Sequence, residues 1–183
     1  MRLFNMKPII TIIIAICALK ISAQENYYKS TKTFHENGYT YQCDVQDDSD
    51  FITLYNKDNK LTYVDKIFKS TGEQVSMLDN NVEFEEENWT RPKCFSIVNN
   101  AFSDIEKRKL KGASFAIVMY IDPNSGKVSE VKFRFASFQP YATIPVSIYR
   151  KIEIELKKNI WFTPTEYGKK LNYIYIGWKQ QPE

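Results

Sequence analysis

The chain has 183 residues with 25 basic and 22 acidic side chains, one histidine and three cysteines. Arg2, Lys7 and Lys20 supply the whole excess of positive charge, so the chain beyond residue 23 balances 22 basic against 22 acidic residues, and nucleic acid, which an exported protein rarely meets, is not an expected partner. A single histidine, His35, and two cysteines beyond residue 23 leave too few ligands for a usual zinc site and no histidine-based triad.

Residues 1–23 pair a basic start with the apolar run Ile9–Leu19 and the small Ala23, the pattern of a cleavable signal peptide. The run is shorter than the roughly 20 residues of a membrane-spanning helix. The expectation is therefore an exported protein, periplasmic or secreted.

Residues 24–90 predict a β-rich region. Thr31–Glu36 and Tyr39–Val45 flank Asn37-Gly38, a type I′ hairpin signal. Phe51–Tyr55 and Leu61–Phe68 flank a second polar turn, and Gln74–Leu78 reads as a further short strand. This region holds 6 basic and 14 acidic residues, a net of −8. Residues 91–183 hold 16 basic and 8 acidic residues, a net of +8. The expectation is that the two halves attract and dock on each other, with the basic half also suited to contact with a membrane surface. Cys43 and Cys94, one in each half, form a candidate disulfide, with two buried thiols as the alternative.

Residues 91–183 predict the order α-β-β-α-β. After Pro92, apolar residues recur with helical spacing from Cys94 to Ile105, and basic residues gather at Lys107–Lys109. Gly112–Ile121 is a nearly continuous apolar strand. Asp122-Pro-Asn-Ser-Gly126 turns the chain into the alternating strand Lys127–Phe135. Ile144, Ile148, Ile152, Leu156 and Ile160 repeat every four residues, and Glu153–Lys157 is expected on the wet side of that helix. Leu171–Trp178 closes the series as a last strand. A right-handed crossover places the first strand in the middle, giving the order 2-1-3. Phe115, Ile117, Met119, Ile121, Val131, Phe133, Phe135, Ile174, Ile176 and Trp178 then face the helices. Ala116, Val118, Tyr120, Tyr173 and Tyr175, with Lys132 and Arg134, line a second face too apolar to stay wet.

Residues 112–179 resemble the C-terminal domain of TonB. The likeness rests on the apolar strand, Ile121-Asp-Pro-Asn-Ser-Gly-Lys-Val128, the amphipathic helix, Trp161-Phe-Thr-Pro164, Gly168-Lys169 and the apolar last strand. The resemblance implies an α+β unit with a three-stranded sheet packed on two helices. It also implies an exposed last strand that accepts an extended peptide by strand addition, with Leu171, Tyr173, Tyr175 and Trp178 as edge candidates. Val118, Tyr120, Lys132 and Arg134 are the second-face candidates. Energy transduction is not implied, because residues 24–91 lack a proline-rich spacer.

The functional expectation is a non-catalytic protein of the cell envelope, with no metal or cofactor, that binds a protein or peptide. Two alternatives stand beside it: a glycan-binding module using Tyr27, Tyr28, Tyr39, Tyr41, Tyr55 and Tyr63, and a self-associating structural protein.

Overall fold

A computed structural model describes residues 25–46, 49–76, 78–85 and 87–183. The signal-peptide expectation for residues 1–23 lies outside them. The chain forms β1 (Lys32–Glu36), β2 (Tyr39–Val45), β3 (Phe51–Asn56), α1 (Thr90–Ala101), α2 (Asp104–Leu110), β4 (Phe115–Ile121), β5 (Val128–Ala136), α3 (Val146–Asn159) and β6 (Ile174–Gln180). Short 3-10 turns at Pro140–Thr143 and Gly168–Lys170 precede α3 and β6. The first hairpin turns as its sequence requires: Asn37 (φ 39°) and Gly38 (φ 85°) both adopt the left-handed backbone of a type I′ turn.

All six strands belong to one antiparallel sheet of order β1-β2-β3-β5-β4-β6. The last three strands take the expected order, with β4 between β5 and β6. The expected separate three-stranded sheet is corrected: β3 pairs with β5, Leu54 opposite Phe133, and joins both halves through backbone ladders. Ion pairs do not make this junction. The three among the described residues, Lys66–Glu83, Lys157–Glu153 and Lys169–Glu166, each stay within one half.

The expected strands at 61–68 and 74–78 are also corrected. With β2 on one side and β5 on the other, β3 has no free edge for a second hairpin partner. Residues 57–76 and 78–85 instead form a strap with single bridges, Ile67 with Gln74 inside it, and Phe68 with Leu171 and Phe84 with Pro164 to the segment that precedes β6. Ahead of the first of those bridges it crosses the second face. Thr62 O accepts from the Tyr120 hydroxyl and from Lys132 Nζ, and Val64 O accepts from the Tyr173 hydroxyl. Thus the strap covers the Tyr120–Tyr173 end of that face, while Ala116 and Val118 stay half-buried and Arg134 exposed.

On the other face the helices complete the core. Eight of the ten predicted helix-facing residues are buried, and Ile176 and Trp178 at the sheet edge are half-buried against them. The single helix expected after Pro92 breaks at Phe102. Ser103 then caps α2 in a capping box with Glu106, whose carboxylate accepts from the Ser103 N–H at 2.7 Å. Pro145 takes the N-cap position of α3.

Cys43 and Cys94 are free, buried thiols. Cys43 lies on β2, whereas Cys94 on α1 lines the same pocket as Met119 of β4 and Ile176 of β6. Since β2 and β4 are three strands apart, roughly 14 Å at the usual strand spacing, the two positions are too distant for a disulfide. Burial pushes the Cys43 thiol up to about 11 and the Cys94 thiol up to about 12.

Glu153 departs from its expected wet position. It is 1 % exposed beneath the β1–β2 hairpin, where its carboxylate accepts from the Tyr41 hydroxyl, and Lys157 Nζ stands 3.6 Å from its other oxygen. Burial raises its pKa above the ordinary glutamate value, against the opposing pull of Tyr41, Lys157 and Asn56. A carboxyl raised on folding stabilises fully below its unfolded pKa, and that contribution is lost as pH rises through the folded value. Glu153→Gln should therefore flatten the decline in melting temperature on the neutral side of the glutamate range. Paired thermal melts from about pH 4 to 8 check this, and parallel curves for both proteins would refute it.

Candidate functional site

Two neighbouring features of β6 make the site: an unpaired outer edge and an apolar pocket beside it. Among the described residues the sheet ends at β6, whose one ladder partner is β4. Which backbone groups face outward follows from the β4–β5 turn. Asp122 N–H donates to Lys127 O at 2.9 Å, and Tyr120 O accepts from Ser129 Oγ, so even-numbered residues of β4 point towards β5. Successive residues of a strand send their backbone groups to alternate sides. Odd-numbered β4 residues therefore bond β6 at Ile174, Ile176, Trp178 and Gln180, their register partners. Tyr175, Gly177 and Lys179 point theirs outward.

The strap limits this edge at one end. Lys69 N–H donates to Lys170 O and Asn172 N–H donates to Ile67 O, both at 2.9–3.0 Å, so residues 170–172 already have a partner strand. Leu171 is buried in that contact, and the Tyr173 hydroxyl is held by Val64 O at 2.6 Å. Of the four edge candidates, only Tyr175 and Trp178 therefore border the open stretch, which runs from Tyr175 to Lys179. The second-face candidates divide similarly. Tyr120 and Lys132 are tied to Thr62 O, with burial lowering the Lys132 pKa, whereas Val118 and Arg134 remain accessible.

On the helix side of this edge lies a pocket of about 350 Å³. Its wall comes from α1 (Thr90, Arg91, Cys94, Phe95), from the sheet (Met119, Ile176, Gly177, Trp178) and from Phe84, Glu87 and Phe162. Phe95 stacks on Trp178 with ring centroids 6.4 Å apart, and the Arg91 guanidinium lies 5.6 Å over the Phe95 ring. Trp89 and Trp161, each adjacent in sequence to a wall residue, pack at 4.4 Å and are 37 % and 53 % exposed. All three tryptophans of the chain thus gather at this one corner. Exposed tryptophans, tyrosines and arginines of this kind carry most of the binding energy in protein interfaces. On the opposite face of β6 a more polar groove of about 760 Å³ runs along the strap past Lys66, Gln74, Tyr173 and Tyr175.

Trp89, Trp161, Phe84 and Arg91 are absent from the sequence-based candidates, since they lie on loops and a helix far apart in the chain. The concentration of three tryptophans in residues 89–178 was the one available signal. The six tyrosines of the glycan alternative do not share a surface. Tyr28 and Tyr41 are fully buried, Tyr39 lies under Arg150, and Tyr55 and Tyr63 both donate to Asp44. Among the described residues no three of His, Cys, Asp and Glu cluster as metal ligands.

The profile of the family described as "Domain of unknown function (DUF5043)" matches residues 24–178. The chain is also similar to a crystal structure of a DUF5043 family protein from Bacteroides uniformis ATCC 8492. The two are 43% identical, the match covers 86% of this chain and 95% of that one, and the TM-score is 0.82. No curated protein matches.

Proposed function

We propose that this chain, which belongs to the DUF5043 family, is a non-catalytic, exported docking module that takes up a strand of a partner protein along β6. The observation that carries this reading is the free edge from Tyr175 to Lys179 lying directly beside the tryptophan-rimmed pocket. An added strand gains main-chain hydrogen bonds from Tyr175, Gly177 and Lys179, and every second side chain falls next to Ile176 and Trp178 at the pocket mouth. Ladder bonds supply affinity, and the apolar pocket selects for an apolar side chain.

Gly177→Pro tests the reading with little cost to the fold. The N–H of Gly177 points away from the sheet, and a Cβ there would meet its first neighbour, Val118, at an ordinary 3.6 Å. Proline is tolerated on an edge strand in that orientation. Peptides selected from a random display library on the wild-type protein should carry alternating apolar residues, quench or shift tryptophan emission, and bind Gly177→Pro at least about tenfold more weakly. Equal binding to both proteins would place the selected peptides elsewhere and defeat the proposal.

A further inference from the structure

Every surface that could seat a strand on β6 must match its pattern of outward backbone groups and alternating side chains, and β6 matches itself. We infer that the edge is filled by β6 of a second copy, paired antiparallel about a two-fold axis through Gly177, so that two six-stranded sheets become one. This rests on the docking-edge reading and names its partner.

The register follows from which groups are free. With Gly177 opposite its own copy, Tyr175 faces Lys179 of the second chain, and all these positions point their backbone outward. Such a contact forms about six ladder hydrogen bonds. Glycine at the axis places no side chains in conflict where the strands cross. On the helix side Ile176 falls opposite Trp178, both half-buried in the free protein, so that the two pocket rims close against each other. On the strap side the exposed Tyr175 ring meets the Lys179 ammonium, a favourable cation–aromatic pair. Lys66, which already lies 5.2 Å over the Tyr175 ring, is neutralised by its ion pair with Glu83 and does not repel the incoming lysine. Sliding the register towards residue 173 is blocked by the strap on 170–172, and sliding it the other way sets Lys179 against Gly177 and forfeits the tyrosine.

The edge also lacks the usual defences against self-pairing. Between Ile174 and Gln180 there is no proline and no charge on the helix-facing side, and Lys179 is the only charged residue. A contact of five residues per chain is small, so the association is weak and depends on concentration.

Sedimentation velocity over a concentration series, with wild type and Gly177→Pro, gives the first readout. The wild type should convert from monomer to dimer, and Gly177→Pro should require at least about tenfold higher concentration, with an unchanged thermal melt. Gly177→Cys and Lys179→Cys give a second readout that does not depend on the proline variant folding. Paired residues at the axis sit about 5.5 Å apart between Cα atoms, within disulfide range, so mild oxidation should cross-link Gly177→Cys. Lys179→Cys faces Tyr175 of the other chain and should stay largely unlinked. A wild type that is monomeric throughout, or equal cross-linking of the two cysteine variants, would overturn self-pairing. A monomeric wild type that still takes up display-selected peptides overturns self-pairing alone, and one that takes up none overturns the docking edge as well.

Discussion

Truncating Tyr149 to alanine should cost about 3–5 kcal/mol and give the largest loss of stability of any single core change. Tyr149 is 0 % exposed on the inner face of α3, and its ring lies 5.1–6.1 Å from those of Phe133, Phe135, Phe115 and Tyr28. It is the point where the helix, the central strands β4 and β5, and the N-terminal segment meet. Its hydroxyl also donates to Tyr141 O at 2.8 Å. That carbonyl accepts from Ile144 N–H as well, so removing the hydroxyl alone strands no acceptor. Tyr149→Phe should thus cost only about 1 kcal/mol. Urea denaturation of the pair separates packing from hydrogen bonding. Similar losses in both variants would mean that the hydroxyl, not the ring, holds this part of the core.

The second large effect is expected at Gly126, a residue remote from β6 that supports its pocket. Its φ of +71° disfavours any side chain, and a Cβ there would fall 1.8 Å from the backbone oxygen of Phe162. Because that neighbour is backbone, relief requires the 122–126 turn to part from residues 161–163. Phe162 N–H would then lose Gly126 O, and the Lys127–Trp161 bridge would open. Gly126→Ala should cost about 3 kcal/mol and displace Trp161 from Trp89, visible as a red shift in tryptophan emission. Gly38→Ala is the control. Its φ of +85° is equally unfavourable but the space around it is open, so about 1–2 kcal/mol is expected and no change in emission. Equal losses at the two glycines would show that conformation, not the close approach, sets the cost.

These effects bear on how much of the molecule its sequence discloses. The segment from Phe115 to Gln180 is legible because every signal in it is local: a continuous apolar strand, an Asp-Pro-Asn-Ser-Gly turn, an alternating strand and a four-residue helical repeat. Asn37-Gly38 is legible for the same reason. The junction of β3 with β5 is not, since pairing across some 80 residues leaves no local mark. Lys132 and Arg134 even give β5 the charged look of an edge strand, yet β5 is central. The strap and neighbouring rings accommodate those charges, through Thr62 O for Lys132 and the Phe51 ring for Arg134. Glu153 misleads in a related way. It follows Ile152 on the helix and reads as solvated, but the β1–β2 hairpin extends past the side of α3 and brings Tyr41 over it.

The candidate site is legible by half. The open edge at β6 follows from element order alone, and Tyr175 and Trp178 with it. The pocket requires Trp89 and Trp161 to meet across 72 positions, and that meeting depends on Phe84 pairing with Pro164 and on Gly126 approaching Phe162. The strap's claim on residues 170–172 likewise comes from tertiary contact, and it removes Leu171 and Tyr173 from the accessible edge. What remains is a shorter edge than the sequence implies, beside a more aromatic pocket.

Residue-resolved amide exchange along β6, in dilute protein with and without a display-selected peptide, tests the docking edge most directly. In the free protein Tyr175, Gly177 and Lys179 should exchange quickly while Ile176 and Trp178 are protected by β4, and the peptide should slow those three amides together. A peptide that binds while all three continue to exchange at the free rate would contradict strand addition at β6.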